Sequence, residues 1–387
     1  MVCLIILINK LHFLTLLEII DRVNFMRICF LAAANSIHSH RWVNYFVEAG
    51  YDVTWVSLVP SIYEIPKKVR YFEVATNGSL TGILGAIFKT RNIISKLNPD
   101  ILHVHYVGSY GLLGLFSGAS SIVATPWGSD VIEGKNSFFK RKFITKILRR
   151  AKLVTCDAYH MQDEVLELGV SEDCIRIINF GIDSKRFSKQ LRDTEIRKEF
   201  GLADEPTIIS LRNFEPVYDI ESLVRAVPKV LDTIPNAKFI LIGKGSLESE
   251  LKSLATQLKI NNAVKFVGFV ANEKLPQVLC SMDVYVSTSL SDAGIAASTA
   301  EAMACEVPVV ISNSGENDRW IDDGENGFLV PVTQPEILAD RLIELLEDSE
   351  LRFKVGCEGR KVIMKNNDYG VEMAKMDELY KDIGKSQ

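Results

Sequence analysis

The chain has 387 residues, 47% hydrophobic and 24% charged, with a formal net charge of −5. This balance supplies material for two globular cores and excludes long disorder, collagen, a coiled coil and a disulfide-stapled mini-fold. Through residue 190, 22 Lys and Arg face 16 Asp and Glu; beyond it, 22 face 33. Such asymmetry suggests two domains with different partners.

Residues 1–25 open with an apolar run, Val2 to Ile8, which is too short to span a membrane and is followed by Lys10. No small-residue cleavage site follows, so the segment does not fit a secretory signal. Two readings are open: a dispensable extension, or an amphipathic helix on a membrane surface. From Met26 short β-rich apolar runs recur at 27–33, 52–58, 101–105, 121–125, 153–156 and 175–178. Helical periodicity lies between them, as in Val43, Phe46, Val47 and Gly50. Strands separated by helices of 10–15 residues argue for βαβ units and a parallel sheet.

Residues 135–152 hold eight basic side chains, with Phe139, Phe143 and Ile147 at four-residue spacing. This basic amphipathic helix either docks on anionic lipid or packs with a solvated basic face. With a pI near 5.8 and no nucleic-acid-binding motif, no nucleic-acid partner is expected. The polar stretch 183–204 reads as a linker. After it the theme restarts, with strands at 207–211, 238–242, 264–267, 283–288, 308–311 and 327–330. Asp219 can cap a helix with the buried stripe Ile220, Leu223, Val224, Val227 and Leu231. Thr333 and Glu336, with Pro335 between them, read as a capping box. The fold class is therefore α/β, two Rossmann-like domains in tandem with an interdomain cleft, and ligands belong beyond the carboxyl ends of the strands. The domains run 26–187 and 206–365, joined by a linker at 188–205 and followed by a helix within 366–387. The seven cysteines are scattered without a C-x-x-C pair, a pattern of reduced, mostly buried thiols and not of a zinc site.

The segment 287–310 carries the strongest signal. A strand ends near Thr288, a loop with Gly294 follows, and then comes a helix of small residues with Glu301 about two turns in. Free N–H groups at such a helix start suit a phosphate, and Glu301 could accept ribose hydroxyls. Small residues for close packing, with Glu301 solvated, is the other reading.

This segment resembles the donor signature of retaining glycosyltransferases of the group 1 (family 4) type, on the GT-B fold. Glu301 begins the family's Glu-Ala-Met-Ala, and Pro308-Val-Val follows it. The family's first Glu falls on Ala293, so the resemblance moves its role to Asp292. It further implies that Arg212, after Ile208-Ile-Ser-Leu, faces the diphosphate. A Lys that the family usually adds falls on Val217. Donor contacts are implied at Gly294, Ile295, Ala296, Ser298, Glu301 and Phe269, the last after a strand whose exit loop holds the nucleobase. Asn35, Ser36 and His38 stand where the family has its glycine-rich loop. Thr125-Pro-Trp-Gly-Ser-Asp resembles the family's T-x-H-G-x-D, with Trp127 at the His and Asp130 at the Asp. These residues imply an acceptor or sugar site, and a catalytic set of Arg212, Asp292, Glu301 and Asp130; His105, at a strand end, reads either as a hydrogen-bonding member of that site or as a satisfied core histidine. His103 and His105 alternate on one strand without a third ligand, so no metal is expected.

The resemblance implies sugar transfer from a UDP- or GDP-sugar to a glycan or lipid-linked acceptor in cell-surface polysaccharide or glycolipid synthesis. It implies neither metal nor cofactor, and a cytoplasmic or membrane-peripheral location. Two alternatives share the architecture: a catalytically impaired nucleotide-sugar-binding subunit and a non-hydrolysing sugar-nucleotide epimerase.

Overall fold

The computed structural model describes residues 26–385 apart from 77, 132–136 and 293. The expectations for residues 1–25, Lys135 and Ala293 lie outside the described residues. The chain forms two units.

The first unit holds β1 (Arg27–Leu31), α1 (Ile37–Glu48), β2 (Asp52–Ser57), β3 (Arg70–Glu73), α2 (Leu80–Leu97), β4 (Ile101–His105), α3 (Ser109–Phe116), β5 (Ile122–Thr125), α4 (Phe138–Arg150), β6 (Leu153–Cys156), most of α5 (Tyr159–Glu167) and β7 (Ile175–Ile177). Its sheet has the order β3-β2-β1-β4-β5-β6-β7, and the pairs from β3 to β6 are parallel. Every residue of β4 is buried, as expected of a strand covered on both faces. The edge strand β3, Arg-Tyr-Phe-Glu, is mostly exposed. Its mixed composition gave no apolar run, and the sequence reading omitted it.

The second unit holds α6 (Thr194–Glu199), β8 (Thr207–Ser210), α7 (Ile220–Thr233), β9 (Lys238–Ile242), α8 (Glu248–Gln257), β10 (Val264–Gly268), α9 (Leu275–Cys280), β11 (Val284–Ser287), α10 (Ala297–Ala304), β12 (Val309–Ser312), α11 (Asn317–Trp320), β13 (Phe328–Val330), α12 (Pro335–Glu347) and α13 (Ser349–Asn366). Its sheet, β10-β9-β8-β11-β12-β13, is parallel throughout. Asp219 caps α7 by accepting from the Ser222 N–H, and the helix buries Ile220, Leu223, Val224 and Val227.

The capping box proposed at Thr333 does not form. Thr333 takes a left-handed φ of 58°, and Gln334 becomes the cap without a side-chain bond. The second unit takes in residues 157–160 and then runs from Ile177, the last residue of β7, ahead of the expected linker. Ile182 bonds Asn367 and Tyr369 through the backbone, at 2.7 and 2.9 Å, and Phe187 enters the second core. A final helix, α14 (Tyr369–Lys385), starts in the second unit, and its residues from Met376 belong to the first.

Candidate active site

In both sheets chain order reverses at one place. After β1 the chain builds β2 and β3 on one side, then returns to place β4 on the other. In the second unit it does the same between β8 and β11. The loops leaving such neighbours diverge, and the crevice at their carboxyl ends is where α/β sheets hold ligands. The candidate residues fall at or beside these strand ends: Asn35 and Ser36 after β1 with His38 in the first turn of α1, His105 ending β4, Arg212 after β8, and Asp292, Gly294, Ile295 and Ala296 after β11 with Ser298 in the first turn of α10.

In the second unit Arg212 and Asp292 meet. The Arg212 guanidinium donates to Asp292 and, at 3.3 Å, to Ser289 Oγ. It also stands 4.4 Å over the ring of Tyr218. The two charged side chains are 11% and 8% exposed, so this is a buried ion pair, while Arg212 Nε has no partner. The backbone around them is closely fitted. A Cβ on Gly243 would strike the Arg212 carbonyl, and one on Gly315, whose φ is +57°, would strike that of Asp292. Gly243 thus lets the end of β9 approach the Arg212 loop, and Gly315 locks the Asp292 turn. Val217, at the place of the family's Lys, accepts the Leu290 N–H at 2.8 Å through its carbonyl.

Helix α10 begins at Ala297, with Ala296 as a cap that makes no side-chain hydrogen bond. Its first N–H groups therefore have no capping side chain. Ser298 Oγ is paired with the Tyr285 hydroxyl at 2.8 Å. Gly294, Ile295 and Glu301 are half-buried. The helix starts later than the small-residue run, so Glu301 lies about 6 Å along the axis from Ala297. That is little more than one turn and corrects the expected two.

Phe269 stands on the loop after β10, next to Gly268, whose carbonyl accepts the Gly243 N–H at 2.9 Å. It is 78% exposed and lines a groove of about 350 Å³ with Phe200, Lys274 and Val278. The glycine left-handed turn at Gly268, φ +80°, redirects the chain after β10.

In the first unit His105, Trp127 and His38 come together. The His105 ring lies 5.8 Å from that of Trp127, and His38 meets Trp127 edge-on at 6.0 Å. His105 is 1% exposed, and neither ring nitrogen has a hydrogen-bond partner. Burial lowers its pKa to about 3 and keeps the imidazole neutral. His103 is different: its nitrogens meet the Tyr380 hydroxyl and, at 2.6 Å, Thr125 Oγ1. Asn35 is exposed, and Ser36 caps α1 without a side-chain bond. Asp130 accepts the N–H groups of Trp127 at 3.0 Å, Val131 at 3.1 Å and Val107 at 2.5 Å. Burial raises its pKa to about 6 despite these bonds. With both oxygens occupied, Asp130 ties the loop after β5 to the loop after β4. Among the described residues no group of three or more His, Cys, Asp or Glu could hold a metal.

Sequence reasoning missed Tyr218, Ser289, Gly243 and Gly315. Ser289, Gly243 and Gly315 meet Arg212 or Asp292 across long sequence separations that no local spacing reveals, whereas Tyr218 lies on the same loop as Arg212.

The family model described as glycosyl transferases group 1 matches residues 192–362, and that described as glycosyl transferase 4-like matches residues 27–158. The chain belongs to the group 1 glycosyltransferases. Among curated relatives of this glycosyltransferase, N-acetyl-alpha-D-glucosaminyl L-malate synthase of Bacillus anthracis is 26% identical over 88% of this chain and 89% of its own. A GDP-mannose-dependent monoacylated alpha-(1-6)-phosphatidylinositol monomannoside mannosyltransferase of Corynebacterium glutamicum is 27% identical over 63% of this chain and 65% of its own. Among solved structures, a glycosyltransferase of Rickettsia africae aligns with a TM-score of 0.80 at 19% identity, over 94% of this chain and all of its own. Anabaena HepE in complex with UDP and glucose aligns with a TM-score of 0.75 at 19% identity, over 92% and 100%. These likenesses show the fold, GT-B, for the glycosyltransferase.

Proposed function

We propose that the enzyme is a retaining, metal- and cofactor-independent glycosyltransferase that moves a sugar from a nucleoside-diphosphate sugar to a glycan or lipid-linked acceptor. The observation that carries this reading is the buried Arg212, held by Asp292 at the β8–β11 switch point. Arg212 and the start of α10 stabilise the leaving diphosphate, where negative charge grows as the glycosidic bond breaks. Glu301 holds the ribose, and Asp292 faces the transferring sugar. The acceptor attacks from the leaving-group side, and the diphosphate takes its proton. Asn35, Ser36, His38, His105 and Trp127 form the acceptor side, with Trp127 offering a face for sugar stacking. Asp130 positions the Trp127 loop.

The named relatives support this reading. The Corynebacterium enzyme is GDP-mannose-dependent, and HepE was solved with UDP. A lipid-linked acceptor in surface-glycan synthesis also fits peripheral contact with the cytoplasmic face of a membrane. On α4, Phe139 and Phe143 are 72% and 43% exposed beside Lys140, Arg141, Lys142 and Lys146. Arg149 and Arg150 instead bond carbonyls of the first unit, at Leu168, Leu115 and Ala119. Among the described residues no helix is long and apolar enough to cross a membrane.

The test is a thermal-shift screen with UDP, GDP and their sugars, followed by NMR of the product anomer. A ligand at about 100 times its Kd adds about 2.7 kcal/mol of stability. Retention of the donor's anomeric configuration is expected. An inverted product, or no response to any nucleotide or nucleotide sugar, refutes the proposal. Donor binding without transfer to any acceptor identifies the impaired-subunit alternative.

A further inference from the structure

The second unit contains a cluster of sulfur atoms away from Arg212 and Asp292. Cys280 ends α9, and Cys305 caps the carboxyl end of α10. Cys280 Sγ lies 3.4 Å from the Ser188 carbonyl and 4.0 Å from the Cys305 carbonyl. The two thiols are within hydrogen-bonding reach of each other. Cys305 is fully buried, whereas Cys280 is half-buried. The charged neighbours of Cys280 are Lys189 and Glu306, which pair at 3.6 Å, and those of Cys305 are Glu301 and Arg360. The remaining thiol nearby, Cys357, lies 3.8 Å from Glu306 Oε2.

These positions give the two sulfurs different chemistry. Hydrogen bonding to Cys305 lowers the Cys280 pKa to about 7, with the Gln190 backbone and Lys189 adding to it and burial and Glu306 opposing. The same hydrogen bond and burial raise Cys305. A partly exposed thiolate beside a cation is the nucleophilic form of cysteine. A second thiol in contact with it can resolve the oxidised product.

We propose that Cys280 and Cys305 are a modification site, a thiol pair that hydrogen peroxide converts to a disulfide and a dithiol restores. The Cys280 thiolate attacks one peroxide oxygen. The S–O bond forms, the O–O bond breaks, and the departing hydroxide takes a proton to leave as water. Cys305 sulfur then attacks Cys280 sulfur. The S–S bond forms, the S–O bond breaks, and hydroxide leaves with the Cys305 proton as a second water. Two thiols and one peroxide give one disulfide and two waters. Cys305 also donates its N–H to the Glu301 carbonyl at 3.1 Å, so the bond forms one turn from Glu301. The chemistry of the pair does not depend on which sugar, if any, the enzyme transfers.

The test uses the full-length protein, reduced, freed of reductant and treated with hydrogen peroxide. It is then denatured with iodoacetamide present and cut after glutamate. Cleavage after Glu301 puts the two cysteines on separate peptides. The expected product is one linked species, two hydrogens lighter than its parts and separated by dithiothreitol. It forms faster at about pH 8 than at about pH 6, because thiolate is the attacking species. Cys280→Ser abolishes it and Cys357→Ser leaves it. Complete alkylation of both wild-type thiols after peroxide, or a Cys280 bridge to Cys357, overturns the proposal without reliance on any variant.

Discussion

Replacing Asp292 with Asn separates two effects that the wild-type ion pair combines. Asp292 holds Arg212 in place, yet its charge opposes the diphosphate that Arg212 is proposed to receive. A phosphate oxygen on the same guanidinium lies about 5 Å from the carboxylate. At an effective dielectric of about 20, two unit charges at that distance repel by about 3 kcal/mol. Asn removes the repulsion and keeps one acceptor oxygen, but loosens the guanidinium. A net gain of about 1.4 kcal/mol, tenfold in Kd, is expected for UDP or GDP. Fold stability moves the other way. Breaking a buried pair from one side costs about 3–5 kcal/mol. The Tyr218 ring and Ser289 hydroxyl remain with Arg212, which reduces the loss to about 2 kcal/mol. Turnover falls, because Asp292 is also placed on the sugar. Calorimetric titration with each diphosphate, beside denaturant unfolding, reads both signs. Weaker or unchanged nucleotide binding in the Asn variant refutes the reasoning.

Arg212→Ala is expected to lower kcat by about 10²–10³, or about 2.7–4 kcal/mol; unaltered turnover removes Arg212 from the diphosphate. Gly315→Ala puts a Cβ against the Asp292 carbonyl at φ +57°, and a loss of about 2–4 kcal/mol is expected as a lower Tm. His105 and Asp130 give opposite pH slopes. The His105 pKa is about 3 against an ordinary 6.5, so its contribution is present above pH 6.5 and is lost as pH falls towards 3. Between pH 6.5 and 4 this amounts to about 3 kcal/mol, and His105→Phe abolishes that part of the acid slope. Equal acid slopes for the two proteins contradict it. Asp130, raised to about 6, makes the fold less stable as pH rises from about 4 to 6, by about 2 kcal/mol. Asp130→Asn removes this loss, which a constant difference from wild type across that range contradicts.

The sheets were legible because their central strands are buried on both faces and rich in apolar residues. All twelve expected strands overlap observed ones. The exposed β3 gives no apolar run. Helix α13 also went unread between α12 and α14, although Asp348 caps it by accepting from the Leu351 N–H at 2.9 Å. Its apolar periodicity is thin because Gly356 and Gly359 supply buried positions that a search for large hydrophobes passes over. A Cβ at Gly356 would strike the Glu306 carbonyl, so here smallness is the packing signal.

The candidate site was legible only where one loop carries its chemistry. Glu301 was legible from its place in the helix after β11, and Arg212 from the resemblance of its strand end to the family's. What fixes Arg212 lies elsewhere in the chain: a carboxylate 80 residues on, an aromatic face at Tyr218, and a glycine after β9. Periodicity cannot connect the carboxylate and the glycine to Arg212, because they meet only after β8 has paired with β9 on one side and β11 on the other. The same rule separates the two histidines of β4. Two residues apart on one strand, they look equivalent in sequence. His103 meets Tyr380, which arrives from α14, and gains a partner. His105, nearer the carboxyl end, has none and faces Trp127. A buried imidazole without a hydrogen bond is unfavourable for folding, and an acceptor hydroxyl on the proposed acceptor side would give His105 the partner that Tyr380 gives His103.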